Sequence, residues 1–284
     1  MAATVKTQSE IALLREGGRR LAHILDVLTR VIKPGAAADD LDKKAEELIH
    51  IAGGIPSFRG YQESRDVSPY PATICVSVND EVVHTPPRKE TIFKEGDVVS
   101  LDIGMWWPAG AISNLQLPIT DKNGKQSEII SQKSESALAT DMAVTIGVGN
   151  IDANAARLIL VTKEALDRAI AIVRAHIQIG DIGHTIQSFV EAHGFGIVRT
   201  LAGHGVGYAV HEEPLIPNVG ERGAGAHLKE GMVIAIEPII TEGSPDVSLQ
   251  KDGWTIKTSD GKRAAHFEHT IVVTREGVEV LTTL

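Results

Sequence analysis

The sequence predicts a mixed α/β fold of the α+β kind, in one domain over residues 1–284, on three observations. Two long segments carry apolar residues at helical spacing. The stretches after each change to β-branched runs of strand character. The order long helix, glycine, short helix, glycine, strands occurs twice, near residues 9–80 and 152–210. That recurrence points to an internal duplication with two similar halves facing each other. No Pro- or Ser-rich linker divides them, so internal pseudo-symmetry within a single domain is expected.

Each element has a local reason. Ser9 is a candidate cap for a helix with Ile11, Leu13, Leu14, Leu21, Ile24, Leu25 and Leu28 on its apolar side, ended by Lys33-Pro34-Gly35. A second helix is expected over about Asp39 to Ile51, stopped by Gly53-Gly54. Thr73 to Val78 and Asp97 to Trp107 read as strands. A long helix follows from about Asp152 to His176, with Ile179-Gly180 as its stop, then a shorter one from about His184 to His193 before Gly194. Strand-like runs close the chain at Met232–Thr241, Trp254–Thr258, Phe267–Thr274 and Val278–Leu281.

Composition narrows the function. The chain has 284 residues, 43% of them hydrophobic, which is enough for a substantial core. Its formal charge is −9, with no Lys/Arg-rich run, so nucleic acid is not an expected partner. One cysteine, Cys75, excludes an intrachain disulfide and fits a reducing compartment. No signal-like apolar core and no membrane-length apolar run is present. A soluble cytoplasmic monomer with no membrane partner is expected.

Four acidic residues lie inside apolar runs: Asp102 in VVSLDIGM, Asp141 in LATDMAVTI, Glu237 in MVIAIEPII and Glu268 in AAHFEHTIVV. A buried ionised carboxylate costs several kcal/mol unless it is paired or bound to a cation. Few Lys or Arg accompany these four, so a shared divalent metal is the economical partner. Histidines add to the set. LAGHGVGYAVHEEP holds His204 between glycines and His211 seven residues later. GHGVG lacks the Lys-Ser/Thr of a phosphate loop. His211-Glu212-Glu213-Pro214 by itself reads as a surface turn. His84, in NDEVVHTPP, ends a strand before two prolines, a place more often structural than catalytic.

Taken together, ICVSVNDEVVH, GDVVSLDIG, TDMAVTIGVG, GHGVGYAVHEEP, GMVIAIEP and FEHTIVVT resemble the type I methionine aminopeptidases of the pita-bread fold. KTQSEIALLREGGR and IKPGAAADDLD add to the likeness, which covers nearly the whole chain. The resemblance implies a pseudo-two-fold antiparallel sheet with helices on one side. In that family the second metal-ligand aspartate follows the first in a tight hairpin. Here the next carboxylate after Asp102 is Asp121, and the matching strand, TDMAVTIGVG, places its aspartate at Asp141, thirty-nine positions on. The region from Trp106 to Ala139, with turn signals at Pro108, Gly110, Pro118 and Asp121–Gly124, is read as an insertion that extends the hairpin. Lengthening such a loop costs little, ~0.6 kcal/mol per doubling. The other alignment sets Ser113 or Asn114 opposite Asp102, and neither bridges two metals as a carboxylate does.

By resemblance, Asp102, Asp141, His204, Glu237 and Glu268 hold two divalent ions. Oxygen donors with one imidazole suit Mn, Fe, Co or Zn without choosing among them. The resemblance also puts His84 near the substrate's first amide nitrogen and His211 near the scissile carbonyl, and assigns proton transfer to Glu237. Tyr70, Cys75 and Trp254 would wall a methionine pocket, Cys75 as wall rather than nucleophile. The implied substrates are the N-terminal methionines of peptides and nascent chains, with transient ribosome contact. Three departures stand out: Val210 where an aromatic residue is usual, Thr85 where glycine is usual, and a longer Gln62–Ser68 segment. Two alternatives compete. A proline-specific peptidase of the same fold would usually carry an additional N-terminal domain. A non-enzymatic binding protein would have lost its metal ligands.

Overall fold

The computed structural model describes residues 3–62, 67–111 and 137–284. The first half runs α1 (Gln8–Thr29), α2 (Ala38–Ile51), β1 (Ile55–Pro56), β2 (Ile74–Val78), β3 (Glu81–Val83), β4 (Val98–Trp107) and β5 (Leu138–Gly147). The second runs α3 (Ala153–Ala171), α4 (Ile179–Ala192), β6 (Gly196–Ile197), β7 (Ala202–Gly205), β8 (Glu212–Pro217), β9 (Val233–Ile236) and β10 (Ile239–Thr241). Strands β11 (Val247–Leu249), β12 (Ile256–Thr258), β13 (Ala264–His266), β14 (Glu268–Val273) and β15 (Val278–Val280) complete the described residues. The main sheet has the order β1-β4-β5-β14-β9-β7-β8, with β2 on β4 and β15 on β14. Two small sheets, β13-β10-β6 and β11-β12-β3, flank it.

Alternation along the strands decides which face is buried under helices. Val99, Leu101, Ile103 and Met105 of β4 pack with Leu21, Leu25, Leu41 and Ile49 of α1 and α2. Ile234 and Ile236 of β9 and Ile271 of β14 pack with Leu158, Leu166, Ile182 and Ile186 of α3 and α4. Residues of opposite parity, among them Asp102 and Glu268, therefore project from the uncovered face.

The two halves correspond in hydrogen bonding as well as order. In the first, Gly35 N–H donates to Phe93 O, Ala38 N–H to Thr91 O and Phe93 N–H to Ala36 O. In the second, His176 N–H donates to Leu228 O, Ile179 N–H to Ala226 O and Leu228 N–H to Ile177 O. Gly35 and His176 occupy the same left-handed position, with φ of 88° and 74°. This agreement supports the duplication expected from the sequence.

Four boundaries differ from expectation. Thr7, not Ser9, caps α1, because Glu10 lies three residues on and closes a capping box with it. Helix α3 ends at Ala171, and Gly180 lies in the first turn of α4 instead of stopping α3. Its role is close approach: a Cβ there would lie 2.2 Å from Glu221 O. The run Met232–Thr241 is two strands, since Pro238 cannot donate to a ladder and β10 leaves for a different sheet. The β4–β5 ladder continues to Trp107 opposite Leu138, so Trp106 and Ala139 are paired strand residues. The expected insertion thus starts beyond Trp107, and its residues 112–136 lie outside the described residues. Trp106 and Trp107 do face opposite ways: Trp106 packs by Phe58 and Tyr70, and Trp107 against the helices.

Candidate metal centre

Four of the five expected ligands lie on strands of the main sheet, β4, β5, β14 and β7, and the fifth, Glu237, directly follows β9, which runs between β14 and β7. Asp102 of β4 lies opposite Ala143 of β5, and Ala143 lies opposite Glu268 of β14. Asp141 lies opposite Gly104, two residues from Asp102 on the same face. Glu237 follows the last residue of β9, at the corner where Pro238 turns the chain into the small sheet. Glu268 sits at the converse corner, where the chain leaves β13 and enters the main sheet. Both glutamates are therefore aimed by changes of sheet. His204 is carried by β7, whose Gly205 lies opposite Ile234 of β9.

These groups meet in a cavity of about 340 Å³. All ten residues singled out from the sequence line it: Asp102, Asp141, His204, Glu237, Glu268, His84, His211, Tyr70, Cys75 and Trp254. Ligand atoms of Asp141, His204 and Glu268 lie within 4.8 Å of one another. His204 Nε2 is 3.5 Å from Glu237 Oε1 and 3.9 Å from Glu268 Oε1. Its Nδ1 is 3.0 Å from the Gly205 carbonyl, which fixes the proton on Nδ1 and leaves the Nε2 lone pair facing the carboxylates.

The electrostatics of the cluster are unresolved by protein groups alone. Burial pushes the Asp102 carboxyl up to about 7. Burial, and then the neighbouring charges of Glu268 and Asp102, raise Asp141 well above the usual range. Burial, then the charges of Asp102 and Asp141, raise Glu237, and burial, then those of Glu237 and Asp102, raise Glu268. Burial holds His84 and His204 down to about 4, so both are neutral near pH 7. Asp102 Oδ1, Asp141 Oδ1 and Glu268 Oε1 are buried and without hydrogen-bond partners among the described residues. No Lys or Arg of the described residues lines the cavity. Unpartnered anionic oxygens with no protein cation fit a divalent metal, and the donor set of carboxylates and imidazole is that of a transition-metal site.

The rest of the cavity is apolar. Tyr70 packs edge-on against Trp254, with centroids 5.1 Å apart, and against Phe58 at 6.4 Å. Tyr70 Oη donates to Ile74 O, and Trp254 Nε1 donates to Ser68 O. These bonds satisfy the polar ends and leave the ring faces to the cavity. Cys75 lies opposite Asp102 across the β2–β4 ladder, and burial raises its thiol well above the usual range. It is a wall residue with no thiolate to attack with. Val210 is buried at the wall as well. His84 holds a left-handed φ of 57°, a strained setting for a non-glycine residue that functional sites favour.

Sequence reasoning missed three groups. Tyr61 lines the cavity, and its hydroxyl lies 2.6 Å from His211 Nδ1. His211 in turn stands edge-on to His204 at 4.4 Å. A lone tyrosine in a loop gives no periodic signal. Glu212 is buried, against the surface-turn reading of its segment, because Lys6, 206 residues away, pairs with it at 2.8 Å. His266 is buried beside Glu237 and Glu268. Its signal was present, since in AAHFEH it lies two positions before Glu268 and so shares its parity.

Comparison with known proteins gives the relationship. Residues 12–127 and 134–275 match the model of metallopeptidase family M24. The chain belongs to metallopeptidase family M24. As a member of that family it is closely similar to methionine aminopeptidases in particular. It is 38% identical over 278 residues to the methionine aminopeptidase of Clostridium acetobutylicum, covering 98% of each chain. It is 39% identical to methionine aminopeptidase 1 of Bacillus subtilis, again over 98% of each. The methionine aminopeptidase structure from Thermotoga maritima superposes with a TM-score of 0.85 at 39% identity, over the full length of both. A prolidase from Pyrococcus furiosus shares the fold, with a TM-score of 0.71 at 19% identity, while this chain spans 65% of it. The M24 chain thus has the pita-bread fold expected from its motifs. No helix among the described residues is long and apolar enough to cross a membrane.

Proposed function

We infer that this M24 metallopeptidase is a methionine aminopeptidase, which removes the N-terminal methionine of peptides and nascent proteins by hydrolysing the first peptide bond. The observation that carries the reading is one cavity in which a carboxylate–imidazole cluster adjoins a pocket walled by Tyr70, Cys75 and Trp254. Relatives of the same length that bear the name methionine aminopeptidase support it.

Asp102, Asp141, His204, Glu237 and Glu268 would hold two divalent ions of Mn, Fe, Co or Zn. Such ions, when bound, supply a nucleophile made from water near neutral pH and a Lewis acid for the carbonyl. The chain's own groups do the rest. The apolar pocket takes the methionine side chain, with the Cys75 sulfur and two aromatic rings suited to a thioether. Glu237, which lines the cavity, takes up a proton from the attacking water and returns it to the leaving amine. The Tyr61 hydroxyl, 2.6 Å from His211 Nδ1, holds the ring in place, and in the tautomer with its hydrogen on Nε2 the ring is a donor for the oxygen on which charge develops. Neutral His84 contacts the substrate's amide nitrogen.

The domain is one catalytic unit over residues 1–284, with a hairpin-extending insertion after Trp107. It acts as a monomer in the cytoplasm, in transient contact with ribosomes. A Met-Ala-Ser peptide and an Xaa-Pro peptide, assayed with manganese, test the activity. Release of methionine from the first and no cleavage of the second is expected. Preference for the Xaa-Pro peptide would assign the chain to the proline-specific branch. No activity on either, with no divalent ion bound under any loading, would make it a binding protein.

A further inference from the structure

His266 has no role in the scheme above, and its surroundings do not explain it. It is 2% exposed, and neither ring nitrogen has a hydrogen-bond partner among the described residues. Burying an imidazole with no partner is costly. Nothing about its placement is loose. His266 is the last residue of β13, opposite Ile239 of β10. Thr145 Oγ1 donates to its carbonyl at 2.7 Å and accepts from its N–H at 2.8 Å. Ser100 Oγ, 2.8 Å from Thr145 Oγ1, holds that hydroxyl in turn. The backbone thus fixes where the ring goes, and the ring goes to the carboxylates.

His266 Nε2 lies 3.7 Å from Glu237 Oε2 and 4.0 Å from Glu268 Oε2. These separations are too long for hydrogen bonds. They suit two donors sharing one cation, since ligand atoms about 2.1 Å from a common ion lie at most about 4.2 Å apart. His204 Nε2 stands in the same relation to the other oxygen, Oε1, of each glutamate. The two imidazoles therefore flank the same pair of carboxylates. Each glutamate presents one oxygen to each ring.

We propose that His266 is a further metal ligand of this centre, giving it a second imidazole besides His204. The proposal rests on the aminopeptidase reading only in requiring a divalent ion among these carboxylates. Coordination through Nε2 gives that buried lone pair the partner it otherwise lacks. A second nitrogen donor also changes metal choice. Imidazole suits cobalt, iron and zinc, whereas manganese prefers oxygen. The centre should discriminate more strongly against manganese than one with a single imidazole.

The test is to load the full-length, metal-stripped protein with two equivalents of cobalt(II) and count imidazoles per protein by X-ray absorption, alongside calorimetric titration with cobalt and with manganese. Wild type should show two imidazoles over the two ions, and His266→Ala and His266→Gln one. Cobalt affinity should fall at least about tenfold in both variants, as much as losing a group behind a ligand costs, and manganese affinity should fall less. Thermal unfolding of the stripped proteins identifies a variant that fails to fold, and the glutamine variant, close in size, then carries the comparison. Equal imidazole counts and equal cobalt affinities in wild type and His266→Gln would overturn the proposal while leaving the metallopeptidase reading intact. Wild-type protein that takes up no cobalt or manganese would overturn both.

Discussion

Glu212 and Glu268 are both buried glutamates on strands of the main sheet, yet their settings are opposite. Glu212 is saturated. Lys6 Nζ and Thr4 Oγ1 donate to one oxygen, at 2.8 and 2.6 Å, and the Tyr208 and Ala209 amides donate to the other. Against the burial that would raise it, those bonds hold its carboxyl below the usual range. Glu268 has an unpartnered oxygen, and burial, then the charges of Glu237 and Asp102, drive its carboxyl up. The first site is closed by the chain itself. The second is a negative cluster that the chain leaves open. The contrast teaches where a metal is demanded: the test is an unsatisfied acceptor, and burial of a charge alone does not supply it.

The comparison breaks most visibly at Asp141. Asp141→Asn should lower methionine release from Met-Ala-Ser at saturating metal by at least about a hundredfold, the upper end of what an outer-sphere partner costs. Asp121→Asn should stay close to wild type. The reverse pattern would move the second aspartate of the proposed ligand set to Asp121 and undo the placement of the insertion.

At the saturated site, Lys6→Met leaves Glu212 charged and unpaired, which should cost about 3–5 kcal/mol in denaturant unfolding. Adding Glu212→Leu to that variant should recover much of the loss. A double variant no more stable than Lys6→Met would show that Glu212 is not what Lys6 answers.

In the open cluster the sign reverses. Asp102, raised from 3.8 to about 7, is uncharged by preference in the folded, metal-free chain. Its penalty therefore appears as pH rises from about 4 through about 7. Stripped Asp102→Asn should be more stable than stripped wild type at pH 8, by on the order of 2–4 kcal/mol, and the gap should close toward pH 4. Added cobalt should invert the order, because only wild type has the full ligand set. A gap independent of pH would show that Asp102 carries no such penalty.

The smallest effect sharpens the same contrast. Glu212, held below the ordinary glutamate value of 4.5, contributes stability that is present above that pH and lost as pH falls through its folded value. Glu212→Gln should be less stable than wild type at pH 7 by about 1–3 kcal/mol. The two should converge in acid, once pH has fallen through the folded value. Parallel curves would remove the ion pair from the account.

Much of the cavity's lining was legible because four of its acids are set into apolar runs and His204 between glycines, and such runs are local. Asp141 was found through the strand that carries it, although its distance from Asp102 is unusual. The pseudo-symmetry was legible in helix length and glycine placement. The misses share a different cause. Lys6 and Glu212 meet only after folding, and no window of sequence contains both. Gly180 looked like a helix stop, but its small size answers to the Glu221 carbonyl packed on it. The split at Pro238 was written in the sequence, but that β10 joins β6 and β13 is a matter of topology. Ser9 lost the cap to Thr7 because Glu10 lies at the spacing that suits Thr7.

The β4–β5 hairpin carries its two aspartates well short of its tip. Beyond Gly104 and Asp141, three further rungs reach Trp107 and Leu138, roughly 10 Å of ladder at 3.3 Å per residue. Those rungs act as a standoff between the chemistry and whatever joins the strands. Evolution can splice material at the far end without retuning the catalytic geometry, and a protein engineer could use the same port.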